Sequence, residues 1–278
     1  MGRFEVGEVI SSLQNTFVKQ ASSLKQKKYR DREGVFIAEG VRIIEDIVSV
    51  GGAIRVCFYD AEAVTPRMKE LIGSLADDVR VLAVTSAVYR KITTTEEPQG
   101  VLAIVEQKEW SLDDIKEGMV HLAVLDRVQD PGNIGTIIRT AEAAGWDGIL
   151  VLSGSADIYA PKVVRSTMGT MLHLPVVRGL SEEDLIIFVE KRNIRLYATS
   201  VVESKTYDAC DFTQSAAVVF GNEGAGVSDT LLARADERMH IPLFGRVESL
   251  NVAAAAAVIC FEGARQRQSS CYCGRAVI

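Results

Sequence analysis

Short apolar runs separated by helical stripes limit the folds open to this chain more than any other feature. Residues 120–125 (VHLAVL) and 216–220 (AAVVF) read as strands of the buried type, and each ends in a turn. Between them the period keeps switching. Residues 148–152 are a strand, 160–169 a helix opened by Pro161 and closed by Gly169, 174–177 a strand, 182–192 a helix and 196–199 a strand. Upstream, Ile43, Ile44, Ile47 and Val48 make a helical stripe ended by Gly51-Gly52. A strand over 54–59, a helix over 66–75, a strand over 79–84, a short helix over 85–92, a polar loop at 93–100 and a strand over 101–105 follow. Alternation of this kind predicts an α/β architecture. The expected organisation is a small domain at 1–106, a charged linker at 107–118 that carries Trp110, a larger domain at 119–267 and a tail at 268–278.

The 278 residues leave room for two domains, and the 47% apolar share is that of a chain with real cores. No run of 18 apolar residues occurs, and residues 1–12 mix charge with apolar side chains where a signal peptide needs an apolar block. The expected location is therefore the cytoplasm, with no membrane partner. Five scattered cysteines (Cys57, Cys210, Cys260, Cys271, Cys273) fit a reducing compartment. Cys271 and Cys273 are too few for a zinc site, and His121, His173 and His240 are too widely spaced for a local metal motif, so no metal is expected.

A net charge of −6 argues mildly against nucleic acid, but it conceals a basic run: Lys19, Lys25, Lys27, Lys28, Arg30 and Arg32, with Asp31 as the nearby counter-charge. A solvated helix face is the ordinary explanation of such a run, and phosphate binding the functional one. The glycine loop 221–228 has the order G-x-x-G-x-G and no acidic ribose clamp downstream, which speaks against a dinucleotide site; no P-loop occurs either. Asn133 is placed to cap a helix ended by Gly145, in which Ile134, Ile137, Ile138 and Ala141 form the apolar stripe. Arg139 lies off that stripe, an ordinary surface position. Residues 241–251 read as a loop feeding an alanine-rich helix over 252–262. Ser249 or Asn251 is its cap, and Leu250, Ala253, Ala254, Ala257, Val258 and Phe261 form one apolar face.

Three segments, DRVQDPGNIGTIIRTA at 126–141, VFGNEG at 219–224 and IPLFGRVESLNVA at 241–253, resemble in order and separation the motifs of the SpoU (TrmH) family of RNA ribose 2′-O-methyltransferases. Residues 15–40 with 95–104 are similar to the RNA-substrate-binding domain that many members carry ahead of the catalytic one. The resemblance implies a parallel α/β sheet whose C-terminal segment is threaded into a trefoil knot, a rare exception to the rule against knots. It implies S-adenosylmethionine bound among the loops 198–201, 220–224 and 241–250, with Thr199, Gly221, Gly224, Ile241, Leu243 and Leu250 as cofactor residues. It implies catalytic roles for Asn133, Arg139, Glu223, Ser249 and Asn251, and RNA binding by Asn15, Lys19, Lys28, Arg30 and Arg165. Members of the family pair knot against knot, so a homodimer is expected. A guanidinium stays protonated, so Arg139 is expected to hold phosphate and hydroxyl rather than accept a proton, with Glu223 orienting Arg139 or the hydroxyl. The implied substrate is ribosomal RNA. Transfer RNA is the alternative within the class, and a non-catalytic RNA-binding dimer the alternative outside it. The two domains are expected to be separable, with cofactor binding in the second.

Overall fold

The computed structural model describes residues 8–267. The first elements are α1 (Thr16–Ser23), α2 (Lys27–Glu33), β1 (Val35–Glu39), α3 (Val41–Ser49), β2 (Ile54–Asp60), α4 (Pro66–Ser74), β3 (Arg80–Val84), α5 (Ser86–Ile92) and β4 (Val101–Glu106). There follow β5 (His121–Leu125), α6 (Pro131–Ala143), β6 (Gly148–Leu152), α7 (Pro161–Thr167), β7 (Val176–Leu180), α8 (Glu182–Lys191) and β8 (Arg195–Thr199). The chain continues through β9 (Lys205–Thr206), β10 (Ala216–Phe220), α9 (Asp229–Arg234), β11 (Glu237–His240) and α10 (Val252–Arg267). It divides into two units: the stretch up to Lys108 together with Asp157–His173, and Glu109–Ala156 together with the stretch from Leu174 onward.

The first unit is built on a four-stranded sheet in the order β1-β4-β2-β3. β4 runs antiparallel to β1 and β2, and β2 runs parallel to β3. Val35, Ile37, Phe58, Leu102 and Ile104 form its core with Val18 and Leu24 from the N-terminal segment and Val88, Tyr89 and Ile92 from α5. Residues 157–173, expected within the 119–267 domain, pack with the first unit. α7 lies against β1, and the Tyr159 ring sits 5.0 Å from Phe36. Tyr159 Oη donates to the Lys108 carbonyl at 2.7 Å. The buried Arg30 guanidinium pairs with Asp157 at 2.5 Å and donates to the Leu24 carbonyl at 2.7 Å. The two units therefore do not correspond to two continuous stretches of chain. The linker expectation changes too: Glu109 already belongs to the second unit, Leu112–Asp114 form a 3-10 turn closed by Ser111 and Asp114, and Ile115 is core.

The second unit is a seven-stranded sheet in the order β7-β6-β5-β10-β8-β11-β9, parallel at every pairing. Strands β5, β6 and β10 are buried along their whole length, which is why they read as unbroken apolar runs. Leu122, Val124, Leu150, Ala217 and Val219 meet Leu185 and Val189 of α8 and Leu231 of α9 in one core. On α6 the buried residues include the expected Ile134, Ile137, Ile138 and Ala141. Its cap is Asp130 rather than Asn133: Asp130 Oδ1 accepts from Asn133 N at 3.0 Å, Pro131 opens the helix, and Asn133 sits inside the first turn.

α10 packs against α6, but not through the face expected from its pattern. Ala253, Ala256, Ile259, Cys260 and Gly263 are buried, whereas Leu250, Val258 and Phe261 are exposed. The helix is apolar nearly all round, so periodicity could not choose between its faces. A Cβ on Gly263 would lie 3.5 Å from the Trp146 ring, whose indole N–H donates to the Cys260 carbonyl at 3.0 Å. At the far end Arg267 donates to the carbonyls of Ala144 and Gly145 at 2.9 and 3.0 Å, satisfying acceptors that the C-terminus of α6 leaves open. Cys57, Cys210 and Cys260 are buried free thiols, and burial pushes Cys57 up to about 12 and Cys210 to about 11, which keeps both unreactive. Cys271 and Cys273 lie outside the described residues.

Removing one partner of a buried ion pair leaves an uncompensated charge, at a cost of about 3–5 kcal/mol. Asp157→Ala is therefore expected to lower the unfolding free energy in urea by that order.

Candidate active site

Parallel sheets leave crevices at the carboxyl ends of their strands. Here the loops after β5, β8, β10 and β11 are anchored to one another by side chains. Asp126, just past β5, is 1% exposed; its carboxylate accepts from Ser228 N at 2.8 Å and pairs with Arg127 at 2.8 Å. Asn222 Nδ2 donates to the Arg127 carbonyl at 2.9 Å, while its Oδ1 accepts from Gly224 N and Ala225 N at 3.0 and 2.9 Å. The loop closes on itself through paired Asn222 and Gly226 backbone bonds. A Cβ on Gly221 would come within 2.2 Å of the Gly226 carbonyl carbon, so only glycine passes here. Thr199 Oγ1 donates to the Val219 carbonyl at 2.9 Å, and Ser200 N to the Met239 carbonyl at 2.9 Å, tying the end of β8 to β10 and β11.

The polar centre is Glu223. Its carboxylate accepts from Gln129 N and Asp130 N, both at 3.1 Å, and from Asn133 Nδ2 at 2.9 Å. Asn133 Oδ1 then accepts from Asn251 Nδ2 at 2.9 Å. Asn251 Oδ1 accepts from Ala253 N at 2.9 Å and Ala254 N at 3.3 Å, so Asn251, not Ser249, caps α10. Burial works to raise the Glu223 pKa. The hydrogen bonds from Asn133 and from the backbone of residues 129, 130 and 223 together outweigh it, and the carboxyl titrates below its usual range.

Asn133, Glu223 and Asn251, from three separate segments, are thus brought into one chain of hydrogen bonds. Arg139 is not part of it. It is exposed on α6, six residues and about 240° round the helix from Asn133, and it makes no hydrogen bond or ion pair among the described residues. Glu223 holds Asn133 and the 129–130 backbone, and no bond from it to Arg139 occurs among the described residues. Ser249, Leu243, Leu250 and Gly224 are exposed, and Thr199 and Ile241 half-buried, around the ends of β8, β10 and β11. Of the residues assigned to RNA, Lys19 and Lys28 are exposed. Asn15 caps α1 by accepting from Phe17 N at 2.9 Å, and Arg165 bonds Thr94. Arg30 is spent on Asp157 inside the first unit, with 4% of its side chain exposed, and has no free face for a phosphate. Asp126, Asp130 and Asn222 were not singled out in advance. An acidic residue directly after a fully apolar strand, and an Asn between a strand and a glycine turn, were the signals available.

The profile of the SpoU rRNA methylase family matches residues 121–261, and that of an MRM3-like substrate-binding domain matches residues 15–103. A 23S rRNA (guanosine(2553)-2′-O)-methyltransferase of Bacillus subtilis is 32% identical over 91% of this chain and 97% of its own. A 23S rRNA (uridine(2479)-2′-O)-methyltransferase of Streptomyces viridochromogenes is 34% identical over 94% and 93%. Among solved structures, the SpoU methyltransferase AviRb from S. viridochromogenes in complex with AdoMet has a TM-score of 0.86 at 34% identity, covering 94% of this chain and 100% of that one. An AdoMet-bound rRNA methyltransferase from Sinorhizobium meliloti gives 0.84 at 35%, over 93% and 97%. With half of its length under the family profile and relatives of this identity, the chain belongs to the SpoU rRNA methylase family.

A carboxyl whose pKa is depressed by folding contributes stability above its unfolded value, and that contribution is lost as the pH falls through the folded one. Glu223→Gln is therefore expected to melt below the wild type at pH 7. The gap should narrow as the pH is lowered through 4 towards 3, as followed by thermal melts at each pH.

Proposed function

We propose that this chain transfers a methyl group from S-adenosylmethionine to a ribose 2′-hydroxyl of ribosomal RNA. The observation that carries the reading is the Glu223–Asn133–Asn251 chain at the strand ends, which holds a fixed polar surface beside an exposed loop. Transfer of this kind needs no covalent intermediate, so positioning and the handling of one proton account for most of the catalysis. The cofactor fits the donor set around β10, β8 and β11: exposed backbone at Gly224 lies on the loop after β10, and aliphatic Ile241, Leu243 and Leu250 lie on the loop after β11. That suits a flat ring approaching main chain closely. Bound there, S-adenosylmethionine supplies an electrophilic methyl.

Asn133 and Asn251 offer neutral amides towards the ribose, and Ser249 a hydroxyl. Arg139, exposed and without a side-chain partner among the described residues, holds the phosphate next to the target ribose through its planar fork, and the proton leaves through that phosphate or water. The first unit holds the RNA, the reading that its substrate-binding-domain match supports. Named relatives acting on 23S rRNA favour ribosomal over transfer RNA. The expected knot has support in the strand order, with β10 between β5 and β8, and in the return of α10 onto α6. No helix among the described residues is long and apolar enough to cross a membrane, in keeping with a cytoplasmic site of action.

The test is methyl incorporation into 23S rRNA from labelled S-adenosylmethionine, followed by mapping of the modified ribose; no incorporation into any ribosomal RNA overturns the reading. In the same assay Arg139→Lys is expected to keep cofactor affinity yet lose about 100-fold or more in turnover, as befits a contact made in the transition state. Its pH–rate profile should keep the alkaline limb of the wild type. A shifted limb assigns the proton to residue 139 instead.

The exposed face of α10 and its preceding loop supports a homodimer. Phe244 is 99% exposed, Val247 63% and Phe261 53%, large apolar side chains left open on one loop and the helix that follows it. Light scattering should give twice the chain mass of 30.3 kDa, and Phe261→Glu should shift the population towards the single chain.

A further inference from the structure

The first unit brings together residues that the sequence pattern left apart. Glu39, at the end of β1, is 5% exposed and is wrapped by the loop that follows α5. It accepts from Thr94 N and Thr94 Oγ1 at 2.8 Å each, from Thr95 Oγ1 at 3.1 Å, from Thr93 Oγ1, and from the buried Tyr89 hydroxyl at 3.4 Å. So many donors on one carboxylate give residues 93–95 a single shape. Cations gather on this scaffold from three segments distant in sequence. Arg165 of α7 donates through Nη1 to the Thr94 carbonyl at 3.3 Å and to Thr94 Oγ1 at 3.1 Å, while its Nε and Nη2 make no hydrogen bond among the described residues. Lys25 Nζ, from the turn between α1 and α2, reaches across to the Lys91 carbonyl in the last turn of α5 at 2.9 Å. Desolvation, then the charge of Lys91, pulls the Lys25 pKa down against the opposing pull of Glu39, so two like charges are held close together there.

We propose that Lys25, Lys91 and Arg165 grip consecutive phosphodiesters of the substrate RNA, on a threonine loop that Glu39 holds in register. The proposal rests on the RNA reading given above and locates the backbone contact. Glu39 and the threonine hydroxyls are engaged with one another and serve as scaffold; the ligands are the free donors of the three cations. Arg165 lies within the stretch that the methylase profile matches, yet it packs in the unit that carries the substrate-binding match. Glu96 and Glu97, exposed further along the loop, repel phosphate and bound the site on that side.

The experiment measures binding of a labelled 23S rRNA transcript to the full chain across a salt series. Each phosphate contact contributes about 0.7–0.9 to the slope of log affinity against log salt. Lys25→Gln/Lys91→Gln/Arg165→Gln is expected to lower that slope by about 2 and to weaken binding at least tenfold at low salt. Arg165→Lys, in a background otherwise wild type, should keep the slope, as should Lys69→Gln at an exposed position of α4. S-adenosylmethionine affinity and melting temperature serve as controls and should not move. An unchanged slope in the triple variant overturns the site while leaving the proposed function intact. Wild-type protein that binds the cofactor but no ribosomal RNA overturns the substrate reading itself.

Discussion

The side-chain amide of Asn133 is the joint on which the arrangement of the second unit's loops depends. One end donates to Glu223 and the other accepts from Asn251, so the amide can sit only one way round, and three segments that are some 90 and 118 residues away from or beside it in sequence meet at a fixed angle. The joint works because each partner is itself fixed. Glu223 is held by two backbone N–H groups at the start of α6, and Asn251 by its cap on α10. Arg267 fastens the other end of α10 to the C-terminus of α6. A helix tied at both ends to one neighbour cannot slide along it, so the loop between β11 and α10 has its two ends fixed while residues 243–250 stay exposed.

What could be read in advance follows from how local the signals are. Strands β5, β6 and β10 announced themselves because both faces are buried, and a fully buried strand needs no alternation to be seen. β11 went unread for the opposite reason: Glu237, Arg238 and His240 surround a single fully buried residue, Met239, and the strand pairs with a neighbour of only two residues. Sheet order is a tertiary property, and nothing in residues 216–220 says that they insert between β5 and β8. The α10 face was chosen wrongly because alanines carry no directional information.

The site shows the same division. Asn133, Glu223 and Asn251 stood in motifs whose family resemblance named them, and the geometry joins them; Asp126 and Asn222, which hold the loops in place, are identifiable only from the bonds they make. Arg30 is the instructive failure. Within the run Lys25 to Arg32 it looks like one more surface cation, and its partner Asp157 lies 127 residues away. Charge runs record composition, while burial is decided by contacts far along the chain.

The placement of Asp157–His173 in the first unit also bears on the order in which the protein is made. When Lys108 has left the ribosome, every strand of the four-stranded sheet has been synthesised, but Arg30 still lacks its carboxylate and Phe36 the ring that covers it. About fifty further residues, a delay on the order of a few seconds at roughly 5–20 residues per second, must emerge before Asp157 and Tyr159 arrive. During that interval the nascent first unit carries an open apolar edge and a cation without its carboxylate. Completion of the N-terminal unit is thereby made to wait on translation of the catalytic one.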